Sequence, residues 1–180
     1  MNAVCVYCGA SPGRGTEYLH AATSLGNAIA TRGLTLVFGG SGVGLMKALA
    51  DAVLESGGRA VGVIPEALMQ REIAHNSLTE LRVVPDMHVR KATMMELADA
   101  FVALPGGIGT LEEIVEVMSW AQLSIHTKPF GLVNTSGYYD RFLSFLDHMV
   151  TEGLLSPATR ALIQARNTPE EVLDMLEDGA

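Results

Sequence analysis

Short apolar runs alternate with longer segments of helical periodicity along most of this chain. The apolar runs predict strands at residues 3–8, 34–38, 59–64, 81–84, 99–104 and 129–134. Helices are predicted at about 17–31, 42–55, 86–98, 111–123 and 139–152, and a last short helix follows a capping box at 168–171. Regular strand–helix alternation predicts an α/β fold, namely a Rossmann-like, doubly wound parallel sheet with helices on both faces.

Length and net charge limit the number of domains and the classes of partner that this chain can have. The 180 residues predict a single domain over 1–180, with a helical C-terminal end at about 153–180. The net charge of −8 argues against nucleic acid or an anionic membrane as partner. No apolar run approaches the roughly 20 residues of a membrane span. Because no basic segment precedes the first apolar run, a cytoplasmic protein without a signal peptide is expected.

Cys5 and Cys8 form a CxxC motif inside or at the end of the first predicted strand. In redox proteins that motif opens a helix, so two buried thiols are the expected interpretation here. A zinc site would need further Cys or His residues at a suitable spacing. The sequence offers none, so no metal is expected.

Two glycine-rich turns follow predicted strands: FGGSGVGLM after the second strand and LPGGIGTLEE after the fifth. In a parallel sheet both turns lie at the carboxyl ends of the strands, where ligands bind. Both enter helices, so they offer free backbone N–H groups and the positive end of a helix dipole to an anion, most simply a phosphate. Neither turn has the Walker A sequence or the GxGxxG pattern.

Glu113 lies just after the second of these turns and has two interpretations. Thr110 and Glu113 have the Thr-x-x-Glu spacing of a capping box, which would make the carboxylate a structural cap. Alternatively, a place in the first helical turn favours the charged form of the glutamate, which would then orient a water, accept a proton or stabilise developing positive charge. The spacing alone leaves both interpretations open.

The helix predicted from Asp86 adds the opposite charge. Met87, Arg90 and Met94 share one helical face, and Lys91 lies beside them. A methionine pair that flanks an arginine suits a flat apolar base, with the guanidinium bonded to an oxygen atom. The alternatives are core packing of the methionines and an arginine that pairs with a surface carboxylate or bonds a nearby loop. Asp86 itself is expected to cap the helix rather than to protonate a substrate.

The segment PGGIGTLEE at 105–113 resembles the PGGxGTxxE signature of the LOG (Lonely Guy) family. These are the cytokinin riboside 5′-monophosphate phosphoribohydrolases, which often carry a lysine decarboxylase label. DMHVRK at 86–91 is similar to that family's DMHxRK segment. Further similarity lies in VYCGAS, GGSGVGLM, GVIP and WAQL with the following His126 and Lys128-Pro129, so it runs from about residue 3 to about residue 150.

The resemblance implies hydrolysis of the N-glycosidic bond of a nucleoside 5′-monophosphate, typically with an N6-modified adenine, to free base and ribose 5-phosphate. It implies no metal or organic cofactor, and a homodimer with the site near the subunit interface. By position, Arg90 and Glu113 are the catalytic pair. Together with the turns and the helical face described above, it gives as substrate-contacting residues Gly40, Ser41, Glu72, Met87, Lys91, Gly106, Gly107, Gly109, Thr110, Glu112 and Ser119.

The chain also departs from the family pattern. Ile108 stands where the family often has tyrosine, and GGSGVGLMK stands where it often has GGGxxGLMG, which leaves the base preference open. Two alternatives remain: a non-catalytic nucleotide-binding or sensor module on the same fold, and a hydrolase of other nucleoside monophosphates. Lysine decarboxylation is disfavoured, because it needs an electron sink such as pyridoxal phosphate on an anchoring lysine and no such motif is visible.

Overall fold

The computed structural model describes residues 1–69 and 73–178, and within these residues seven strands form one sheet. The strands, β1 to β7 in chain order, are Ala3–Tyr7, Thr35–Phe38, Arg59–Pro65, Glu80–Val84, Ala100–Ala103, Phe130–Val133 and Gln164–Arg166. Their spatial order is β4-β3-β2-β1-β5-β6-β7, and every neighbouring pair is parallel. The predicted parallel α/β sheet is confirmed.

Helices cover both faces of this sheet. In chain order, α1 to α7 are Glu17–Thr31, Gly44–Glu55, Met87–Leu97, Ile108–Gln122, Asp140–Thr151, Pro157–Leu162 and Pro169–Asp178. One hydrophobic cluster joins α1, α2 and α7 to one face, and a second cluster joins α3, α4 and α5 to the other. None of the helices described here is long and apolar enough to cross a membrane.

The side chains of β1 show why both faces need cover. Val4 and Val6 belong to the first cluster, whereas Cys5 and Tyr7 belong to the second. Successive residues of a strand point to opposite faces, so a strand that is apolar at every position is stable only between two helical layers. Cys8 lies on the face opposite to Cys5, and both thiols are free and buried. The expectation of two buried thiols is therefore confirmed.

The C-terminal part differs from the sequence-based expectation. A helical end is predicted at about 153–180, but β7 lies between α6 and α7 and pairs with β6 at the edge of the sheet. The sequence of β7, Gln-Ala-Arg, is too short and polar to form an apolar run, so periodicity does not reveal it. α6 is also short, and it begins after Ser156, whose Oγ accepts a hydrogen bond from the backbone N of Thr159 at 3.0 Å.

The strand order reverses between β1 and β5. From β1 the chain adds β2, β3 and β4 on one side, and from β5 it adds β6 and β7 on the other. The connections that leave β1 and β5 therefore diverge, and a crevice opens between them at the carboxyl ends of the strands. This crevice is where a doubly wound sheet is expected to bind its ligand.

Candidate active site

A cavity of about 290 Å³ occupies the crevice between the connections that follow β1 and β5. Its lining comes from these two connections, from Gly39 after β2, from α2, α3 and α4, and from Leu68 in the short 3-10 helix at Glu66–Leu68. Arg90 and Glu113, the expected catalytic pair, both line it although they lie on different helices. The cavity is therefore the candidate active site.

The start of α4 gives this cavity a wall of bare backbone. Gly107 is the N-cap of α4, and both Gly107 and Gly109 line the cavity. A Cβ added at either glycine would meet no described atom within 4 Å beyond its own neighbours, and neither residue has a positive φ. Neither packing nor backbone conformation therefore requires glycine here. Because the N–H groups of a first helical turn have no intrahelical partner, this wall suits close approach by an anion.

Gly106 has a different role from its two neighbours. A Cβ at Gly106 would lie 2.1 Å from Thr110 Oγ1 and 2.6 Å from Thr110 Cβ, so glycine lets the turn pack closely on α4. Thr110 is buried and lines the cavity, whereas Gly106 is not among the described lining residues. Thr110 thus occupies the space that a side chain at position 106 would need. A substrate contact of the Gly106 backbone stays a prediction.

Glu113 lies in the second turn of α4, not in the first. α4 begins at Ile108, earlier than the expected start at about 111, and no described side chain caps its N-terminus. The capping-box interpretation of Thr110 and Glu113 is therefore wrong, and so is the placement of Glu113 in the first turn. Glycine is a poor helix former, so the two glycines at this end conceal the true start of the helix from sequence periodicity.

The titratable side chains of β1 and of the residue after it, which lie near Glu113, are uncharged. Burial raises the pKa of Cys5, Tyr7 and Cys8, and the negative charge of Glu113 raises each pKa further. Tyr7 and Cys8 line the cavity together with Glu113. These groups therefore stay neutral near pH 7. Charges that act beside such a buried, neutral surface interact more strongly than they would in water.

Arg90 on α3 is buried, with 5% of its surface exposed. Its Nη2 donates a hydrogen bond to the carbonyl oxygen of Gly39 at 3.0 Å. A Cβ at Gly39 would lie 2.1 Å from that nitrogen, so the first glycine of FGGSG makes room for the guanidinium. Asp86 caps α3, because its carboxylate accepts hydrogen bonds from the backbone N of His88 and Val89 at 2.8 and 2.9 Å. The capping role expected for Asp86 is confirmed.

Lys91 and Glu112, both expected substrate contacts, form an ion pair with each other. Lys91 also pairs with Glu116 on the next turn of α4. Burial lowers the pKa of Lys91, but the hydrogen bonds to Glu112 and Glu116 outweigh burial and raise it. Glu112 lines the cavity, whereas Lys91 and the exposed Ser119 are not among the lining residues that the structure describes. Direct substrate contacts of these three residues stay predictions.

Gly40 and Ser41 hold a neighbouring segment of chain. Gly40 has a φ of +76°, and its carbonyl oxygen accepts a hydrogen bond from the backbone N of His75 at 2.9 Å. Ser41 is fully buried and pairs with Ala74 in an isolated antiparallel bridge. Neither Gly40 nor Ser41 is among the described residues that line the cavity, so their substrate contacts stay predictions. Glu72, a further expected contact, lies outside the described residues.

An apolar wall completes the cavity. Met46, Leu68, Met87 and Met94 line it, and the Sδ of Met87 lies 3.7 Å from Nη1 of Arg90. Flexible, polarisable methionine side chains adapt well to a flat aromatic ligand. Met46 ends the GGSGVGLM segment and Leu68 lies outside the sequence motifs. Nothing in the local sequence marks either residue as a cavity residue, because both reach the cavity only through the sheet topology.

Comparisons with known proteins show which family this chain matches. A family model described as possible lysine decarboxylase matches residues 46–176. The chain is 48% identical to the cytokinin riboside 5′-monophosphate phosphoribohydrolase LOG3 of Arabidopsis thaliana, over 98% of this chain and 82% of that protein. It is 49% identical to the probable cytokinin riboside 5′-monophosphate phosphoribohydrolase LOGL3 of Oryza sativa subsp. japonica, over 97% of this chain and 82% of that protein.

A solved structure supports the fold independently. The Moco carrier protein from Chlamydomonas reinhardtii matches with a TM-score of 0.74 and 20% identity, over 99% of this chain and 96% of that chain, which shows the fold alone. The family match, in contrast, includes α3, α4 and the glycine turn between them, so the resemblance found in the sequence is confirmed. The chain therefore belongs to the family that these LOG proteins represent and whose model is described as possible lysine decarboxylase.

Proposed function

We propose that this chain hydrolyses the N-glycosidic bond of an N6-modified adenosine 5′-monophosphate to free base and ribose 5-phosphate. The observation that carries the proposal is that Arg90, Glu113 and the bare backbone at Gly107 and Gly109 line one cavity. Such a reaction needs an anion site for the phosphate, a carboxylate for the sugar and a positive charge for the departing base. The names of the relatives, which specify cytokinin riboside 5′-monophosphates, support the same substrate class.

In the proposed reaction, the 5′-phosphate binds at the N-terminus of α4 and thereby places the ribose. The C1′–N9 bond breaks, its electron pair leaves with the base, and positive charge develops on the sugar, as in other glycosidic cleavages. The carboxylate of Glu113 stabilises this charge and accepts a proton from the water whose oxygen bonds to C1′. The base takes up a proton as it departs.

Arg90 is proposed to stabilise the negative charge that develops on the departing base. Its guanidinium is oriented before substrate binds, because Nη2 is already bonded to the carbonyl oxygen of Gly39. The methionine side chains of the apolar wall are proposed to pack against the purine and its N6 substituent. In this arrangement the backbone of α4 binds the phosphate, and side chains of α3 contact the base.

Lysine decarboxylation, the activity in the family model's description, finds no support in this cavity. That chemistry needs an electron sink such as pyridoxal phosphate held by a lysine as a Schiff base. Lys47 and Lys91 form ion pairs with carboxylates, and Lys128 donates to a backbone carbonyl oxygen. None of these lysines is among the described residues that line the cavity. The residues present therefore do not fit that cofactor.

A panel of nucleoside 5′-monophosphates tests the proposed function. We expect the purified protein to release free base from N6-isopentenyl-AMP and AMP, and to leave adenosine, which lacks the phosphate, almost uncleaved. Binding of AMP without release of adenine would indicate a non-catalytic nucleotide-binding module, because proteins that share a fold can differ in function. Preferential cleavage of a pyrimidine or deoxynucleoside monophosphate would change the assigned substrate class.

Gly109→Ala is expected to weaken ligand binding while it stabilises the fold. Alanine is expected to raise the free energy of unfolding by about 0.5–1 kcal/mol, because position 109 lies in the first turn of α4 without a positive φ. The added methyl group enters open space at the cavity wall, so the KM for AMP is expected to rise about tenfold. Thermal unfolding and initial rates measure the two effects.

Gly106→Ala is the matched comparison on the same turn. Its methyl group would overlap Thr110, so the free energy of unfolding is expected to fall by about 1–3 kcal/mol. The two substitutions should thus change stability in opposite directions. If Gly109→Ala keeps the wild-type KM, the bare wall does not bind the phosphate and the anion site is wrongly placed.

We further propose that the chain acts as a homodimer. Ile108, Val115, Leu123 and Ile125, on α4 and just after it, expose apolar side chains, and that of Ile108 is 82% exposed. Apolar groups presented in this way favour association with a second subunit. Sedimentation equilibrium should give twice the chain mass of 19.1 kDa, and a monomer mass would contradict the proposal. A cytoplasmic location stays a prediction.

A further inference from the structure

The hydroxyl groups of two adjacent tyrosines hold the glycine turn that precedes α4. Tyr138 Oη donates a hydrogen bond to the carbonyl oxygen of Gly106. Tyr139 Oη donates to the carbonyl oxygen of Leu104 at 2.7 Å. Tyr139 is fully buried, whereas Tyr138 is 41% exposed. Core packing explains Tyr139, but it does not explain why an exposed phenol reaches back to a turn of the candidate active site.

The hydrogen bond to Gly106 fixes the peptide group that contains the N–H of Gly107. Peptide groups are planar, and no cis peptide occurs among the described residues, so this carbonyl and this N–H point in opposite directions. Gly107 lies between two cavities: Tyr138 and Tyr18 line one of about 330 Å³, and Arg90 lines the catalytic one. A carbonyl held by Tyr138 therefore turns the N–H of Gly107 away from Tyr138, and Gly107 also lines the catalytic cavity.

Ring packing sets the direction of the Tyr138 hydroxyl. The ring meets that of Tyr18 edge-on, with centroids 5.6 Å apart and planes at 77°. It meets the ring of Tyr139 in the same way, at 5.0 Å and 90°. Such edge-to-face contacts are favourable, and here they come from α1 and from the turn before α5. The phenol is thus held from two directions while its hydroxyl bonds to Gly106.

The turn that carries Tyr138 is itself strained. Ser136 has a φ of 54° and Gly137 a φ of 70°, and the left-handed region is unfavourable for a residue with a Cβ. Asn134 closes the turn, because its Oδ1 accepts a hydrogen bond from the backbone N of Tyr139 at 2.7 Å. Strain that persists in a short surface turn is commonly associated with function. Here the residue that follows the strained pair is Tyr138.

We propose that Tyr138 is a positioning residue of the phosphate site: its hydroxyl holds the peptide between Gly106 and Gly107 so that the N–H of Gly107 faces the 5′-phosphate. The inference rests on the proposed function, because it takes the phosphate to bind at the N-terminus of α4. A hydrogen bond accepted by the carbonyl also polarises the peptide and strengthens its N–H as a donor. Tyr138 therefore acts on phosphate binding and not on bond cleavage.

Tyr138→Phe tests this role, because it removes the hydroxyl and keeps the ring. We expect the Kd for ribose 5-phosphate, measured by calorimetry, to rise about five- to tenfold, as for the loss of one hydrogen bond. The KM for AMP should rise by a similar factor, while kcat stays within about twofold. Tyr18→Phe removes a hydroxyl from the same ring cluster without a described bond to the turn, and it should change none of these values.

The possible results separate the positioning role from the proposed function. If the wild type hydrolyses AMP and Tyr138→Phe binds ribose 5-phosphate as tightly as the wild type, the positioning role is overturned and the proposed function stands. If the wild type binds ribose 5-phosphate but hydrolyses no AMP, and Tyr138→Phe binds it more weakly, the positioning role stands and the proposed function fails. A wild type that neither binds ribose 5-phosphate nor hydrolyses AMP overturns both.

Two further results would overturn the positioning role alone. A lower kcat at unchanged KM would place Tyr138 in the chemical step. Weaker binding of free adenine by Tyr138→Phe, in the same proportion as for ribose 5-phosphate, would show a general distortion of the cavity. Binding of adenine is therefore measured beside that of ribose 5-phosphate, and it is expected to equal the wild-type value.

Discussion

Replacing Glu113 by glutamine is expected to lower kcat for AMP hydrolysis about 10³-fold while the fold stays intact. The amide has nearly the size of the carboxylate but no charge, so it neither stabilises positive charge on the ribose nor accepts a proton from water. The start of α4 should not depend on the charge, because its N-cap residue is Gly107 and Glu113 lies a turn further on. Initial rates and thermal unfolding measure the two properties.

Glu152→Gln is the matched control, because it makes the same chemical change at an exposed position beyond the end of α5. It is expected to keep the wild-type kcat. AMP should bind to Glu113→Gln within about tenfold of the wild-type Kd, since the carboxylate acts mainly in the transition state. Near-normal turnover by Glu113→Gln would contradict its catalytic assignment.

Arg90→Lys is expected to lower kcat/KM for AMP by about 10²-fold or more. Lysine keeps a positive charge but lacks the planar fork of a guanidinium, so it cannot both bond the Gly39 carbonyl oxygen and face the substrate. A buried ammonium group also loses its proton more readily than a guanidinium. Rates over a range of AMP concentrations separate the effect on kcat from that on KM.

Gly39→Ala changes the same interaction from the backbone side. Its Cβ would lie 2.1 Å from Nη2 of Arg90, so the guanidinium must move, and a loss of similar size is expected. Arg82→Lys is the control, because Arg82 is exposed on β4 and its Nε pairs with Glu80 at 2.6 Å. Wild-type kcat/KM in Arg90→Lys would exclude the guanidinium from the catalytic machinery.

Most of the sheet is predictable because its strands are buried between two helical layers. β1, β2, β3, β5 and β6 each require an apolar run, and in most of them the run leads directly into a turn residue such as glycine or proline. β4 lies at the edge of the sheet and is mixed in sequence, and only its last residue, Val84, is buried. β7 is different: a three-residue edge strand buries too little to need such a run. Its position depends on pairing with β6 and on the packing of α7, and neither is visible in local sequence.

The position of the expected catalytic pair at one cavity is also predictable, for a topological reason. Arg90 and Glu113 lie in motifs that follow β4 and β5, and parallel strands bring such connections to one edge of the sheet. The roles of individual glycines are harder to predict from the sequence. Gly39 and Gly106 are needed where Arg90 and Thr110 pack against the backbone, and that packing appears only once α3 and α4 are in place.

Product analysis tests N-glycosidic hydrolysis most directly. N6-isopentenyl-AMP is incubated with the wild type and with Glu113→Gln, and the products are separated and identified by mass spectrometry. The wild type is predicted to release the free base and ribose 5-phosphate in equal amounts, and Glu113→Gln to release almost none. Formation of the nucleoside with inorganic phosphate, or recovery of the intact nucleotide from the wild type, would contradict this function.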